Sequence, residues 1–391
     1  MKSTTILALL FYLMVLLIFT RCSHHVEDSV GDVQVIQIDL NKVVESYDMT
    51  NIIDTSFSII PLETNDDCLI GAMDKLEIKA NRIYIFDNMS KSIFIFTMDG
   101  KFINKINAYG RGPGEYHAIS SATVTDSTII ILDISLRKLL EYSLSGKFIR
   151  EDNKILNKLW AWDIFFYNDL LYYVNDWGIV RAGRYRLFTT PLSLDKMDTY
   201  LPFKNAPISL GIKGPRYSIY SDGFSAIYSG VDAIFGLKPD GSIGRKYTVD
   251  LMGERVKYKS KIVNKVLEEN PKGKIIGIEK IFETDRYLFL ELSRLHGVYL
   301  LCIYDKQNGV TTLTEGGHLI HDSLGFLFSY FTWMMDDKVI ISYDAFNFLE
   351  IYKHIWSAHD FPNKNVNNAI RKVASQLKEG DNPVLIISHL K

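Results

Sequence analysis

The chain has 391 residues, of which 47% are hydrophobic and 13% aromatic, with 22 Tyr and 22 Phe; such a composition can bury a large core and favours pleated strands over disorder. Lys and Arg number 44 against 46 Asp and Glu, a formal net charge of -2, so no strong basic field exists to attract nucleic acid. Length alone fits either two or three average domains or one large all-β unit.

At the N-terminus Lys2 precedes fourteen uninterrupted apolar residues, Ile6 to Phe19, and polarity changes abruptly at Thr20, Arg21 and Cys22. This pattern reads as an export signal over residues 1–21, and it is short of the roughly 20 residues that a membrane-spanning helix needs. The position of Cys22 resembles the lipobox of bacterial lipoproteins, in which the cysteine after the apolar segment is lipidated and becomes the first residue of the mature chain. Such boxes prefer a small residue before the cysteine, and this chain has Arg21 there. The resemblance implies a membrane anchor on Cys22. Residues 22–32, with His24 and His25, then form a solvated tether ahead of a folded region over 33–391. Loss of Lys2 and Arg21 with the signal leaves 42 basic against 46 acidic residues, a mature charge of -4. Cys68 and Cys302 lie among apolar residues and read as buried thiols, not as a disulfide framework.

Beyond the tether the chain repeats itself. Each unit holds a turn carrying Asn or Asp, a strongly apolar strand, a second short turn and a third strand that ends near glycine. The first unit runs through Ala80-Asn81-Arg82, Ile83 to Phe86, Ser92 to Thr97 and the turn Asp99-Gly100 before Lys101 to Ile106. The second follows the same plan, with Thr125-Asp126-Ser127, Ile129 to Leu132, Lys138 to Ser143 and Ser145-Gly146 ahead of Lys147 to Arg150. Looser copies start at Asn168-Asp169, Ser221-Asp222-Gly223, Thr284-Asp285-Arg286 and Asp336-Asp337-Lys338, the last leading to Val339–Ser342 and a strand over Phe348–Tyr352. Asn81 to Asp337 spans 256 positions in five intervals, about 51 residues each. That is the size of a four-stranded propeller blade, and six such units predict an all-β six-bladed β-propeller with four-stranded antiparallel blades and short helical insertions.

A ring of blades has to close, which normally pairs strands from the two chain ends. Candidate closing strands are Val33 to Leu40 and Phe57 to Leu62 near the start and Pro383 to Leu390 at the end. Between the sixth unit and that last strand, Val366, Ile370, Val373 and Leu377 recur at helical spacing and predict an amphipathic helix laid against the propeller. A second helix is expected over Glu254 to Glu269, between the fourth and fifth blades.

With these residues in hand, the chain resembles the six-bladed propeller lipoproteins of Bacteroides-type gut bacteria, which share the NHL-repeat architecture. The most specific shared feature is Tyr109-Gly110-Arg111-Gly112-Pro113-Gly114-Glu115-Tyr116, between the first and second blades. Phe57 to Glu63 and Asn382 to Lys391 carry the likeness to the two ends. The resemblance implies a propeller fold and placement in the cell envelope, on the outer membrane. It carries over no catalytic residues.

Local chemistry is sparse. Gly110, Gly112 and Gly114 look superficially like a phosphate loop, but Pro113 lacks an amide and no helix follows. A tight crossing between blades accounts for them, tied down by Arg111 and Glu115, with Tyr109 and Arg111 as candidate ligand contacts at the propeller mouth. His318, His321 and Asp322 could ligate a metal only with help from other loops, and read as ordinary loop residues, so neither a metal nor a cofactor is expected. Asp87, Asp133 and Asp344 each follow an apolar strand; recurrence at equivalent positions suits a turn or cap better than a single active site.

Trp160 and Trp162 alternate on the expected innermost strand of the third blade and would present both indoles on one face, with Trp177 and Trp333 as companions. Stacked indoles suit sugars or apolar ligands, and the same residues serve packing between blades. No zinc-protease helix, nucleophile elbow, Walker loop or Cys-x-x-Cys is present. The leading expectation is an envelope-anchored, non-enzymatic module that binds a glycan, a peptide or a protein partner. The alternatives are a carbohydrate-active propeller hydrolase or lyase with its site at the channel mouth, and a scaffold that contacts partners through its side or through the inserted helix at 254–269.

Overall fold

The strongly apolar stretches of the sequence become the second strands of six antiparallel sheets, and their alternation explains why they are apolar on both faces. In the computed structural model, which describes residues 33–175, 185–203, 216–257, 268–316, 318–325, 332–359 and 361–391, four strands precede the first blade. These are β1 (Gln34–Gln37), β2 (Val43–Val44), β3 (Tyr47–Asp48) and β4 (Ile53–Pro61). Blade 1 is β5 (Lys75–Lys79), β6 (Arg82–Asp87), β7 (Ser92–Thr97) and β8 (Phe102–Ile106); blade 2 is β9 (Ser121–Val124), β10 (Thr128–Asp133), β11 (Lys138–Ser143) and β12 (Phe148–Asp152). A short helix α1 (Lys154–Lys158) leads to blade 3, made of β13 (Asp163–Tyr167), β14 (Leu170–Val174), β15 (Tyr185–Pro191) and β16 (Asp198–Pro202). Blade 4 is β17 (Tyr217–Tyr220), β18 (Gly223–Ala226), β19 (Ala233–Leu237) and β20 (Ile243–Asp250). Blade 5 is β21 (Ile275–Glu283), β22 (Tyr287–Arg294), β23 (Leu300–Asp305) and β24 (Val310–Glu315).

After β25 (Leu319–Ile320), blade 6 takes its two inner strands, β26 (Trp333–Met335) and β27 (Lys338–Tyr343), from the middle of the C-terminal region. The chain then leaves the sheet through α2 (Ala345–Ile351) and α3 (Lys364–Ala374) and returns as β28 (Val384–Leu390), onto which β4 adds as the outermost strand. The fold is thus a six-bladed propeller closed by both chain ends.

Side chains of one strand serve two interfaces. Ile83 and Ile85 of β6 pack toward blade 6, whereas Tyr84 and Phe86 pack toward blade 2. Ile129 and Ile131 of β10 face blade 1, while Ile130 and Leu132 face blade 3. The period of two sends alternate residues to opposite sheet faces, and each face is covered by a neighbour, so six apolar clusters fill the six blade junctions. Each fully buried Ile or Phe contributes about 1.5–3 kcal/mol by area.

The recurrent aspartates cap turns. Asp87, fully buried, accepts from the backbone N–H of Met89 (2.8 Å), Ser90 (3.0 Å) and Gly71 (2.7 Å). Asp133, equally buried, accepts from Leu136 N–H (3.0 Å) and His117 N–H (2.6 Å). Each therefore ties the chain entering its blade to the turn after the second strand. Asp344 caps α2 by accepting from Asn347 N–H at 2.8 Å.

Closure rests on β4 and on Asn382. The Asn382 side chain, 2% exposed, donates to the carbonyls of Glu63 and Cys68, both at 2.7 Å, and accepts from Ile70 N–H at 2.9 Å. The expected helix over 366–377 is α3, whose Val366, Ile370 and Val373 are buried against blades 5 and 6, with Leu377 packed just beyond its end.

Three expectations need correction. Val33 to Leu40 does not close the ring: β1 pairs in parallel with β20, adding a fifth strand outside blade 4. Its Ile36 and Ile38 are fully buried against that sheet, so its alternation marks a covering strand and not a closing one. Phe348 to Tyr352 is not a strand, because the Asp344 cap starts a helix that buries Phe348 beside Trp356 and Tyr343; β28 takes the third place in the sheet. The helix expected from Glu254 does not begin there. Residues 254–257 are extended, with Val256 N–H bonded to Ile275 O (2.9 Å) and Ile275 N–H to Glu254 O (2.8 Å). Only Glu268 and Glu269 are helical among the described residues of that stretch, and 258–267 lie outside them.

Candidate functional site: the axial cavity

The innermost strands of all six blades, β5, β9, β13, β17, β21 and β26, surround a cavity of about 850 Å³ on the propeller axis. That volume lies within the ~300–1,000 Å³ typical of ligand pockets. One mouth is formed by the turns after the first strands, at Lys79, Asp126, Asn168, Asp169, Ser221 and Asp336.

Blades 1 to 3 supply a polar wall. Lys75, Glu77 and Lys79 alternate along β5 and therefore share a face, which meets the first strand of blade 2. Lys79 pairs with Asp126 at 2.8 Å. Glu77 pairs with Lys75 at 3.0 Å and accepts from Val124 N–H at 2.8 Å. The Lys75 ammonium donates to the carbonyls of Ala122 (2.5 Å) and Ile164 (3.2 Å) and lies 3.9 Å from Asp163.

Tyr217 of blade 4 completes the hub: its hydroxyl donates to Ile164 O (3.3 Å), and its ring lies 5.3 Å beneath the ammonium. Burial by itself would discharge Lys75, but the surrounding groups, the Glu77 and Asp163 carboxylates among them, outweigh it and hold the amine above its ordinary value. Burial pushes the Tyr217 phenol well up, so it acts as a neutral O–H donor. One lysine thereby links the inner strands of four blades. Because its N–H groups are engaged by two carbonyls and a carboxylate, Lys75 is a fixed charge and not a free nucleophile.

A second buried ionic group lies between blades 4 and 5. Glu283, its side chain 1% exposed, takes Lys246 and Lys306, each at 3.0 Å. Lys246 also donates to Tyr220 Oη (2.7 Å) and Ser225 Oγ (2.8 Å). Burial lowers the Lys246 amine below its ordinary value, against the pull of Glu283. This network is satisfied internally and works as an interblade clamp.

Among the candidates named from sequence, Trp162 lines the cavity and Trp160 stands edge-on to it, ring centroids 6.1 Å apart. Both precede the innermost strand, which starts at Asp163, although Trp162 N–H still bonds Val174 O at 2.8 Å. Trp333 lines the cavity too, and Trp177 lies outside the described residues. Tyr109 and Arg111 do not reach the axis. Arg111 is exposed, and Tyr109 is 55% exposed and packs on His117 at 5.5 Å.

The glycine loop is filled by the protein's own carboxylates: Glu115 accepts from Gly112 N–H (2.7 Å) and Glu151 from Gly114 N–H (2.9 Å). Gly114 has φ +73° and requires glycine, and a Cβ on Gly110 would fall 2.0 Å from Glu115 Oε2 and displace that carboxylate from the loop. The amides of Gly110, Gly112 and Gly114 are thus engaged and unavailable to a phosphate. His321 is buried, with Nε2 on Ile53 O (3.1 Å) and Nδ1 accepting from Ser323 and Leu324 N–H, which occupies both ring nitrogens. Among the described residues no group of three or more His, Cys, Asp or Glu is placed to hold a metal.

Sequence reasoning passed over Lys75, Glu77, Asp163 and Tyr217. The available signal was Lys75-x-Glu77-x-Lys79, charges alternating along a strand destined for the centre of the molecule.

Comparison with known proteins agrees with this architecture. A Bacteroides fragilis NCTC 9343 structure, provisionally described as an exported protein, superposes with a TM-score of 0.68 at 18% identity, covering 92% of this chain and 100% of its own. At that identity the likeness is one of fold. A member of the DUF4221 family from Bacteroides vulgatus ATCC 8482 matches at 12% identity with a TM-score of 0.48, over 88% of this chain and 99% of its own. No curated protein matches the sequence. The family model for a domain of unknown function, DUF4934, matches residues 35–389, and the chain belongs to that family.

Proposed function

We propose that this chain is an exported, envelope-anchored binding module whose ligand enters the axial cavity, and that it is not an enzyme. The observation that carries this reading is the state of the cavity's inner charged groups. Lys75, Glu77 and Asp163 are bonded to one another and to backbone, so the interior offers shape and aromatic surface instead of a poised acid, base or nucleophile. The apolar segment at 1–21, the cysteine at 22 and a fold neighbour described as exported support placement outside the cytoplasm, with a lipid on Cys22 as the anchor.

Two measurements test the reading. Calorimetric titration of the purified protein with glycan and peptide panels is expected to give saturable binding without product. Turnover of any panel member, lost on substitution of Lys75 or Asp163, would establish the carbohydrate-active hydrolase or lyase instead. A Cys22→Ser chain is expected to leave the membrane fraction and appear in the soluble one; unchanged membrane retention would rule out the lipid anchor.

A further inference from the structure

The lining of the axial cavity combines closed ionic pairs with apolar side chains. Blades 1 to 3 present the Lys75, Glu77 and Asp163 ladder, closed on itself, beside the half-buried Trp162 and Phe166, and blades 4 to 6 present the half-buried Ile219 and Met335, with Phe282, Trp333 and Met334 mostly buried in the blade junctions behind them. A ligand lying on the axis meets fixed dipoles and, interspersed with them, apolar side chains from both halves of the ring.

Charge narrows the choice. The lining holds six carboxylates, Asp74, Glu77, Asp126, Asp163, Asp169 and Asp336, against Lys75, Lys79 and Lys280. All three lysines have carboxylate partners: Glu77, Asp126 and, outside the lining, Glu291 at 2.8 Å. An anionic ligand would find no unpartnered cation and an excess of negative charge. A cationic ligand gains little, because Glu77 and Asp163 are held by Lys75 and Asp126 by Lys79, and Asp74, Asp169 and Asp336 are exposed, where water and salt screen them.

Hydrogen-bonding capacity is ample. The axial edge of each first strand has no further strand to pair with, and Ala122 O, Ile164 O and Val124 N–H already show that these edges take polar groups from side chains. Apolar faces together with many neutral donors and acceptors match a molecule that has C–H faces and hydroxyl rims.

From this we infer that the cavity takes an uncharged, polyhydroxylated ligand, an oligosaccharide or glycoside, bound with its apolar faces against Trp162, Ile219 and Met335. This rests on the reading of the axial cavity as the ligand site. The decisive experiment screens the purified protein against an array of neutral, uronate-bearing and amine-bearing oligosaccharides beside a peptide array, with hits quantified by calorimetry. Hits confined to neutral oligosaccharides are expected. Affinity should fall about tenfold in Trp162→Ala, be largely kept in Trp162→Phe and be lost in Met335→Arg, which narrows the cavity without touching Trp162. Melting curves of each variant establish that it is folded.

Preference for uronate-bearing, amine-bearing or peptide ligands, weakened by the same substitutions, would overturn the ligand class and leave the cavity as the binding site. Absence of hits, or hits indifferent to both positions, would overturn the class and the cavity reading together.

Discussion

Blades 1 to 3 and blades 4 to 6 are built from the same sheet but are finished differently. The outer strands of the first three, β8, β12 and β16, are sheet edges, and β12 is exposed along most of its length, Phe148 and Ile149 included. The outer strands of blades 4 and 5 are covered in parallel by β1 and β2; β3 then pairs with β25, and the same segment runs on to become the outer strand of blade 6. One N-terminal stretch of about 30 residues thus belts half of the ring and closes it. The first half coheres through consecutive hairpins, while the second depends on partners more than 200 residues away. Contacts of that separation form late and at a larger entropic cost, so the belted half is where the molecule is most exposed to damage at its ends.

The sharpest way to break this contrast is at the closure. Asn382→Ala removes three side-chain hydrogen bonds, one buried and two part-buried, and strands their partners, and is expected to cost about 3 kcal/mol in chemical denaturation; a cost under about 1 kcal/mol would mean that β4 closes the ring unaided. Next comes the hub. Lys75→Met leaves Glu77 and Asp163 without their cation, and a loss of about 3 kcal/mol is expected. Because the hub ties blades 1 to 4, hydrogen exchange should quicken in β5, β9, β13 and β17 together. Protection lost from β5 alone would show that Lys75 does not couple the blades.

Ile36→Ala, in the belt, should cost about 2 kcal/mol and act on one side of the molecule. Ile36 and Cys302 share a buried cluster, whereas Cys68 lies beside the closure. Burial pushes the Cys302 thiol up to about 12 and raises that of Cys68, so both should resist thiol reagents at pH 8 until local opening. The substitution is expected to speed labelling of Cys302 and leave Cys68 unchanged. Equal acceleration at both would show that the belt stabilises the whole ring.

The smallest effect belongs to the open half. Burial tends to raise the Glu151 carboxyl, but the Gly114 N–H and Lys138 prevail and hold it below its ordinary value. A carboxylate with a depressed folded value adds stability above the unfolded value of roughly 4.3 and loses it as pH falls through the folded one. Glu151→Gln should therefore lower the melting temperature slightly at pH 7, by less than about 1 kcal/mol in stability, and the gap to the parent should shrink as pH falls below roughly 4.3 and vanish once the folded carboxyl is protonated. A gap that persists in acid would assign the effect to shape and not charge.

The sequence by itself determined what local chemistry can determine. Blade number and size followed from recurring turns and doubly apolar strands such as Ile83–Phe86 and Ile129–Leu132, because a strand covered on both faces has no polar side to show. The capping role of Asp87 and Asp133, the glycine crossing at 110–114 and helix α3 were legible because part of what fixes each lies close in the chain, as Met89 and Ser90 do to Asp87, Leu136 to Asp133 and Glu115 to Gly112. Only the tertiary structure decided which strand closes the ring and which covers it, since Val33 to Leu40 and Phe57 to Leu62 are both short apolar strands near the start of the chain and differ in what lies across from them. It alone revealed the hub, where Lys75, Asp163 and Tyr217 come from three blades and 142 positions of sequence. No local pattern can encode such a meeting, because the axis of a propeller belongs to no single segment of its chain.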